Sequence, residues 1–187
     1  MLYDELRKKL NAYPARDVVA PDRIPASVLV PFFDKDGAPH VLFTVRSRTL
    51  QYHKGEISFP GGAQEPNEDS RTTALRELYE EITVAEDSVE ILGRLDMIRT
   101  VSSSFLVVPY VGYLKPGTTF HPNEEEVAEI LEVPFEHFLN PEIFREEMRV
   151  VDQRSIPVYY YQWKNHSIWG LTARILKCVI DLLGVEK

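Results

Sequence analysis

Apolar positions along the chain fall into two periods, and each change of period marks an element. Leu6 and Leu10 stand four apart among charged residues, which predicts a short amphipathic helix over residues 3–12. Pro14, Pro21 and Pro25 then mark an extended connection. Residues 27–33 (SVLVPFF) and 40–46 (HVLFTVR) are apolar and partly β-branched, and Asp34-Lys35-Asp36-Gly37 between them suits a tight turn, so a β-hairpin is expected. That turn lacks the remaining ligand positions and the terminal Glu of a calcium loop. Residues 70–82 give the clearest helix, with Asp69 or Ser70 as N-cap and an apolar stripe of Ala74, Leu75, Leu78 and Ile82. Strands are expected at 89–92, 105–114, 130–133 and 158–163, with a short helix near Pro134. Leu171, Ile175, Leu176, Val179, Leu182 and Leu183 predict a closing helix over 171–183. Strands interspersed with few helices point to an α/β sandwich with a mixed sheet between helical layers.

Composition narrows the class. The chain has 187 residues, 44% hydrophobic and 27% charged, which is ordinary for a globular domain with a real core. No apolar run approaches the roughly 18 residues of a membrane span, and the N-terminus lacks the pattern of a secretory signal. Cys178 is the only cysteine, so an internal disulfide and a multi-cysteine zinc site are excluded and a reducing, cytoplasmic setting is expected. A net charge of −8 argues against bulk nucleic-acid binding. Aromatic content and mean hydropathy permit a homodimer without demanding one. No repeat or linker divides the chain, so one domain over 1–187 is expected.

The chemistry concentrates in Arg76-Glu77-Leu78-Tyr79-Glu80-Glu81. On a helix, Glu77, Glu80 and Glu81 share an arc of roughly 100° beside the apolar stripe. Their like charges repel by a few tenths of a kcal/mol per pair, near a helix C-terminus that already disfavours anions. A solvated acidic face is the ordinary meaning of such a pattern; a cation-binding site is the alternative, and hard oxygen donors favour Mg²⁺ or Mn²⁺. The preceding Phe59-Pro60-Gly61-Gly62 tips the balance, because paired glycines allow close backbone approach and a free carbonyl can add a metal ligand. Arg46, His53 and Lys54 upstream are cations suited to a phosphate. Together these suggest phosphate-anhydride chemistry. The Glu124-Glu125-Glu126 run reads by default as a solvated charge run, and Cys178 as a buried thiol in an apolar helical pattern.

Gly62, Glu68, Arg76, Glu77, Leu78, Glu80, Glu81 and Val84 fall in register with G-x5-E-x7-R-E-U-x-E-E-x-G-U, so the segment 62–84 resembles the Nudix box. Thr83 stands where the box has its second Gly, a position that helps end the helix at positive φ, which a β-branched residue adopts poorly. The segment from Leu42 through Ser47, then Gly55 and Phe59-Pro60-Gly61-Gly62, resembles the coenzyme A pyrophosphatase branch of that family, with Gln51 in place of an Arg. The stretches 126–129 and 168–174 are similar to the same branch. The resemblance implies a Nudix-type α/β/α sandwich with a central mixed sheet. It implies hydrolysis of coenzyme A or a derivative, a nucleotide-containing small molecule, to adenosine 3′,5′-bisphosphate and a 4′-phosphopantetheine moiety. ADP-ribose or another nucleoside diphosphate derivative, and a ligand-binding module without turnover, are the alternatives. Residue by residue, it implies Glu77, Glu80 and Glu81 as metal ligands with the Gly62 carbonyl beside them. Arg76 would orient the glutamates, Glu68 would support Arg76 or the metal shell, and Glu77 or Glu126 would serve as base.

Overall fold

The computed structural model describes residues 2–47, 55–101, 103–151 and 153–184. The order of elements is α1 (Leu2–Ala12), β1 (Ile24–Lys35), β2 (Ala38–Arg46), β3 (Ile57–Ser58), β4 (Gly61–Ala63), α2 (Ser70–Ile82), β5 (Val89–Arg94), β6 (Ile98–Arg99), β7 (Phe105–Leu114), β8 (Val127–Pro134), β9 (Phe144–Val151), β10 (Arg154–Trp163), β11 (His166–Trp169) and α3 (Gly170–Leu183). The expected helix near Pro134 is a short 3-10 turn, Phe135–Leu139.

β1 and β2 form the expected hairpin, with Phe32 opposite Val41 and Lys35 opposite Ala38. Its turn residues Asp36 and Gly37 both have positive φ, 53° and 78°, the combination that matches the twist of two-residue hairpins. β1 runs parallel to β7 over nine residue pairs while its other partners are antiparallel, so the eight-stranded sheet is mixed. The path is β3-β2-β1-β7-β5, with β4 on β1, β6 on β7 and β8 on β2.

Alternation along β1 and β2 builds two cores, because successive side chains leave a strand on opposite faces. Leu29, Phe33 and Leu42 meet Leu75, Leu78 and Ile82 of α2. Val30, Phe32, Val41 and Phe43 meet Leu6 and Leu10 of α1 and Ile175, Leu176, Val179 and Ile180 of α3. Helices thus cover both faces, giving an α/β/α sandwich with a central mixed sheet. Each fully buried Leu, Ile or Phe in these layers contributes roughly 1.5–3 kcal/mol.

A second, three-stranded antiparallel sheet, β11-β10-β9, was absent from the sequence pattern apart from β10. β9 (FREEMRVV) carries charges on both faces and buries no residue fully, so it lacks the alternation that identifies a strand. Tyr161 of β10 is fully buried and joins the α3-side core. Cys178 is half-buried in α3, and burial pushes its thiol upward. Among the described residues no helix is long and apolar enough to cross a membrane.

Candidate active site

α2 carries most of the site, and its two ends are fixed by different means. Asp69 caps the N-terminus, accepting from the Thr72 N–H at 2.7 Å, an interaction worth about 1 kcal/mol. At the other end Thr83 adopts the left-handed conformation, φ 60° and ψ 24°, and its N–H donates to the Tyr79 carbonyl. The helix therefore ends where a glycine would end it. The Thr83 hydroxyl donates to the Ile82 carbonyl at 2.7 Å and to the His121 carbonyl at 3.3 Å, which offsets the steric cost of a β-branched residue there. The carbonyls of Ile82 and Glu81 accept from the His121 and Asn123 N–H groups at 3.0 and 2.8 Å. Asn123 in turn holds the N–H groups of Glu126 and Val127. Orphan carbonyls of the helix thus anchor the loop bearing Glu126.

The three box glutamates differ sharply in environment. Glu80 is exposed, Glu77 half-buried, and Glu81 only 2% exposed. A uniformly solvated acidic face is thereby excluded for Glu81. Its Oε2 accepts from the Thr44 hydroxyl at 3.0 Å and its Oε1 from the Gly61 N–H at 3.3 Å. Both donors are neutral, and burial pushes the Glu81 carboxyl up to about 7. Burial also raises the Glu77 carboxyl, with Glu126 among the nearby negative charges adding to the effect. Thr44 has no counterpart in the sequence reading. The alternation of β2, which puts Thr44 on the same face as Leu42 and hence toward α2, is the signal that could have found it.

Arg76 is the hub of the exposed side. Its Nε donates to Glu68 Oε1 at 2.7 Å, its Nη1 to Glu77 Oε1 and Glu80 Oε2 at 2.8 Å each, and its Nη2 to the Ala63 carbonyl at 3.0 Å. The guanidinium holds the Glu68 carboxyl down at about 2, with the Glu65 N–H and the Thr73 hydroxyl assisting. Five donors in a planar fork are what one side chain needs to serve four acceptor groups.

The glycine pair has two distinct steric roles. A Cβ on Gly62 would fall on the Glu77 carboxylate, so glycine is what lets that carboxylate lie against β4. A Cβ on Gly61 would collide with the Ser27 carbonyl and the Val28 backbone of β1, so glycine there is what lets the two strands pair.

The donor chemistry fits a divalent cation: every candidate is an oxygen, and the buried Glu81 carboxylate has only neutral hydrogen-bond donors. Among the described residues no three His, Cys, Asp or Glu side chains converge tightly enough to hold an ion as they stand. Arg76 holds Glu77 and Glu80 instead, supplying a positive charge from the protein itself. Arg46 ends β2 beside this cluster, and its charge favours ionisation of Glu81. Its Nε is buried with no partner among the described residues. His53, Lys54 and Gln51 lie outside the described residues.

Known proteins similar to this chain share one family. The NUDIX domain family matches residues 23–155. The chain is 41% identical over 154 residues to a Nudix hydrolase NudL of Photorhabdus laumondii subsp. laumondii, itself uncharacterized, covering 81% of this chain and 80% of that protein. It is 33% identical over 168 residues to the peroxisomal coenzyme A diphosphatase NUDT7 of Mus musculus, covering 86% of this chain and 70% of the mouse protein. Its fold is similar to the crystal structure of a MutT/nudix family protein from Enterococcus faecalis, with a TM-score of 0.54 at 14% identity, over 97% of this chain and 73% of that one. With Arg76, Glu77, Glu80 and Glu81 of the box on α2 and the matched segment spanning the whole mixed sheet, the chain belongs to the Nudix hydrolase family.

Proposed function

We propose that this chain is a divalent-metal-dependent diphosphatase that cleaves coenzyme A or its derivatives to adenosine 3′,5′-bisphosphate and a 4′-phosphopantetheine moiety. The observation that carries the chemistry is the α2 cluster: a buried, cation-deficient Glu81, a Glu77 laid against Gly62, and an exposed Glu80 one turn away. Support for the substrate comes from 33% identity to the mouse coenzyme A diphosphatase across most of both chains.

Mg²⁺ or Mn²⁺, when bound, would screen the pyrophosphate and make an attacking water more acidic. Glu77, Glu80, Glu81 and the Gly62 carbonyl would hold it. Arg46 at the end of β2, with His53 and Lys54 of the signature segment, would meet substrate phosphate. Water adds to one phosphorus, the bridging phosphorus–oxygen bond breaks, and the departing phosphate leaves with that oxygen. The proton of the water needs an acceptor near Glu77. We assign it to Glu126, because Glu77 Oε1 is already engaged by Arg76 whereas no described side chain bonds the Glu126 carboxylate. The whole chain, 1–187, would act as one catalytic domain.

The test is incubation of purified protein with coenzyme A, ADP-ribose and nucleoside triphosphates in Mg²⁺ or Mn²⁺, with products identified by mass. Coenzyme A is expected to yield the two named products. Cleavage of ADP-ribose with coenzyme A left intact would overturn the substrate and leave the metal site standing. Binding of nucleotides with no turnover of any would overturn the enzymatic reading.

A further inference from the structure

β9 is the terminal strand of the second sheet: β10 pairs with one side of it, and no described strand pairs with the other. A terminal strand presents a row of backbone donors and acceptors to solvent, and natural edges are guarded by charged side chains, Pro or bulges. β9 has neither Pro nor a bulge, so its only guards are the charges of Arg145, Glu146, Glu147 and Arg149, which repel only partners that oppose like to like. It carries Arg145, Glu146, Glu147, Met148, Arg149, Val150 and Val151 in regular register with β10, and two large apolar residues stand exposed on it, Met148 at 59% and Val150 at 76%.

The order of its charges selects one partner. Side-chain direction and hydrogen-bond direction both alternate with a period of two along a strand. In a symmetric antiparallel pair of identical strands the two-fold axis must therefore fall on a residue, not between residues. Centred on Glu146, Glu147 or Arg149, the axis sets that charge against its own copy, and centring on Glu147 also sets Arg145 against Arg149. Centred on Met148, it places Met148 against Met148, Glu147 against Arg149 twice, and Glu146 against Val150 twice. Centring on Val150 also opposes no like charges within β9 but overlaps only residues 149–151, whereas centring on Met148 overlaps residues 145–151 and sets Met148 against its own copy.

We infer that the β9 edge is a self-complementary interface through which two copies of this chain pair antiparallel about Met148, joining their three-stranded sheets into one of six. The occupant is a second copy because the charge order is complementary to itself under that symmetry. Contact through one short strand from each copy buries little area, so association is reversible and concentration-dependent.

Sedimentation velocity over a concentration series of the full chain tests this. The expected result is a rise from monomer to twice that mass. Met148→Lys sets two ammonium groups at the axis and should keep the chain monomeric throughout. Arg149→Glu converts both cross-pairs to repulsion and should weaken pairing roughly tenfold. Adding Glu147→Arg to it exchanges the two charges and should restore pairing. Circular dichroism checks that each variant stays folded. In a Cys178→Ser background, Met148→Cys should form an interchain disulfide on mild oxidation, since directly opposed Cα atoms lie about 4.5–5.5 Å apart. A chain that stays monomeric across the series overturns the inference. So does a dimer indifferent to Met148→Lys and to the charge exchange.

Discussion

The Thr44 hydroxyl donates to Glu81 Oε2 at 3.0 Å, from a side chain that is fully buried to one that is 2% exposed. β2 and α2 are thereby joined by a polar contact inside an otherwise apolar seam of Leu29, Leu42, Leu75 and Leu78. Such a bond fixes the direction in which the other carboxylate oxygen points. Thr44→Val keeps the shape and removes the donor, and is expected to raise the metal concentration for half-maximal activity by about tenfold or more. Thr44→Ser should recover most of the loss. Metal titration of activity for the three proteins is the measurement; an unchanged half-point in the valine variant would sink the positioning role.

Buried Glu81 makes metal-free stability depend on pH in a definite direction. Its folded value of about 7 lies above the ordinary carboxyl value of 4.5. Between the two, the folded state holds a proton that the unfolded state has released, so stability falls as pH rises from about 4.5 through 7. The loss is on the order of 3 kcal/mol when complete. Glu68, held low by Arg76, acts the opposite way: its stabilising contribution is present above about 4.5 and disappears as pH falls toward 2. Urea denaturation in EDTA should therefore show falling stability across pH 5–8. Glu81→Gln should flatten that slope and abolish most turnover while staying folded. A slope unchanged by Glu81→Gln would assign it to other groups.

Gly61 and Gly62 are adjacent yet should fail differently when given a methyl group. Gly61→Ala meets the backbone of β1 and is expected to cost about 2 kcal/mol or more of stability, as overpacking against an immovable neighbour does. Gly62→Ala meets first the carboxylate end of Glu77, the far end of a flexible side chain that can swing away. Stability should change by less than about 1 kcal/mol while kcat falls at least about tenfold. Thermal melts and steady-state kinetics of the two variants separate these outcomes.

Thr83 holds the left-handed position with the help of its hydroxyl. Thr83→Gly relieves backbone strain but loses the bonds to Ile82 and His121, so a net change within about 0.5 kcal/mol is expected. Thr83→Val keeps the strain and loses the bonds, and should cost about 1–2 kcal/mol. Equal stability of the glycine and valine variants in denaturant titrations would contradict the compensating role of the hydroxyl.

Much of the fold was legible because its elements bury one face and expose the other. The α2 helix spans 70–82 as its stripe and Asp69 cap indicate, and the 105–114 strand has the bounds its apolar run suggests. β9 escaped notice because a strand packed weakly on both faces leaves no periodic trace. The box glutamates were readable from spacing, but their unequal burial was not, since an arc on a helical wheel does not say how far the neighbouring sheet wraps around it. Thr44, and the docking of residues 121–123 onto the end of α2, depend on contacts between residues about 40 positions apart. Local pattern can turn Thr44 toward α2 but does not name Glu81 as its partner, and it carries no record of where residues 121–123 dock.

That docking also divides the chain into tolerant and intolerant lengths. His121 and Asn123 are tied to the last carbonyls of α2, and Val127 begins a strand paired to Arg46, so the span bearing Glu126 is tied down at both ends. An inserted residue between Asn123 and Val127 would have to displace the glutamate. The stretch between Leu114 and His121 has no such double tether to the site, so added length there bulges into solvent. Relatives adapting to bulkier substrates would find room to lengthen before His121 and almost none after it.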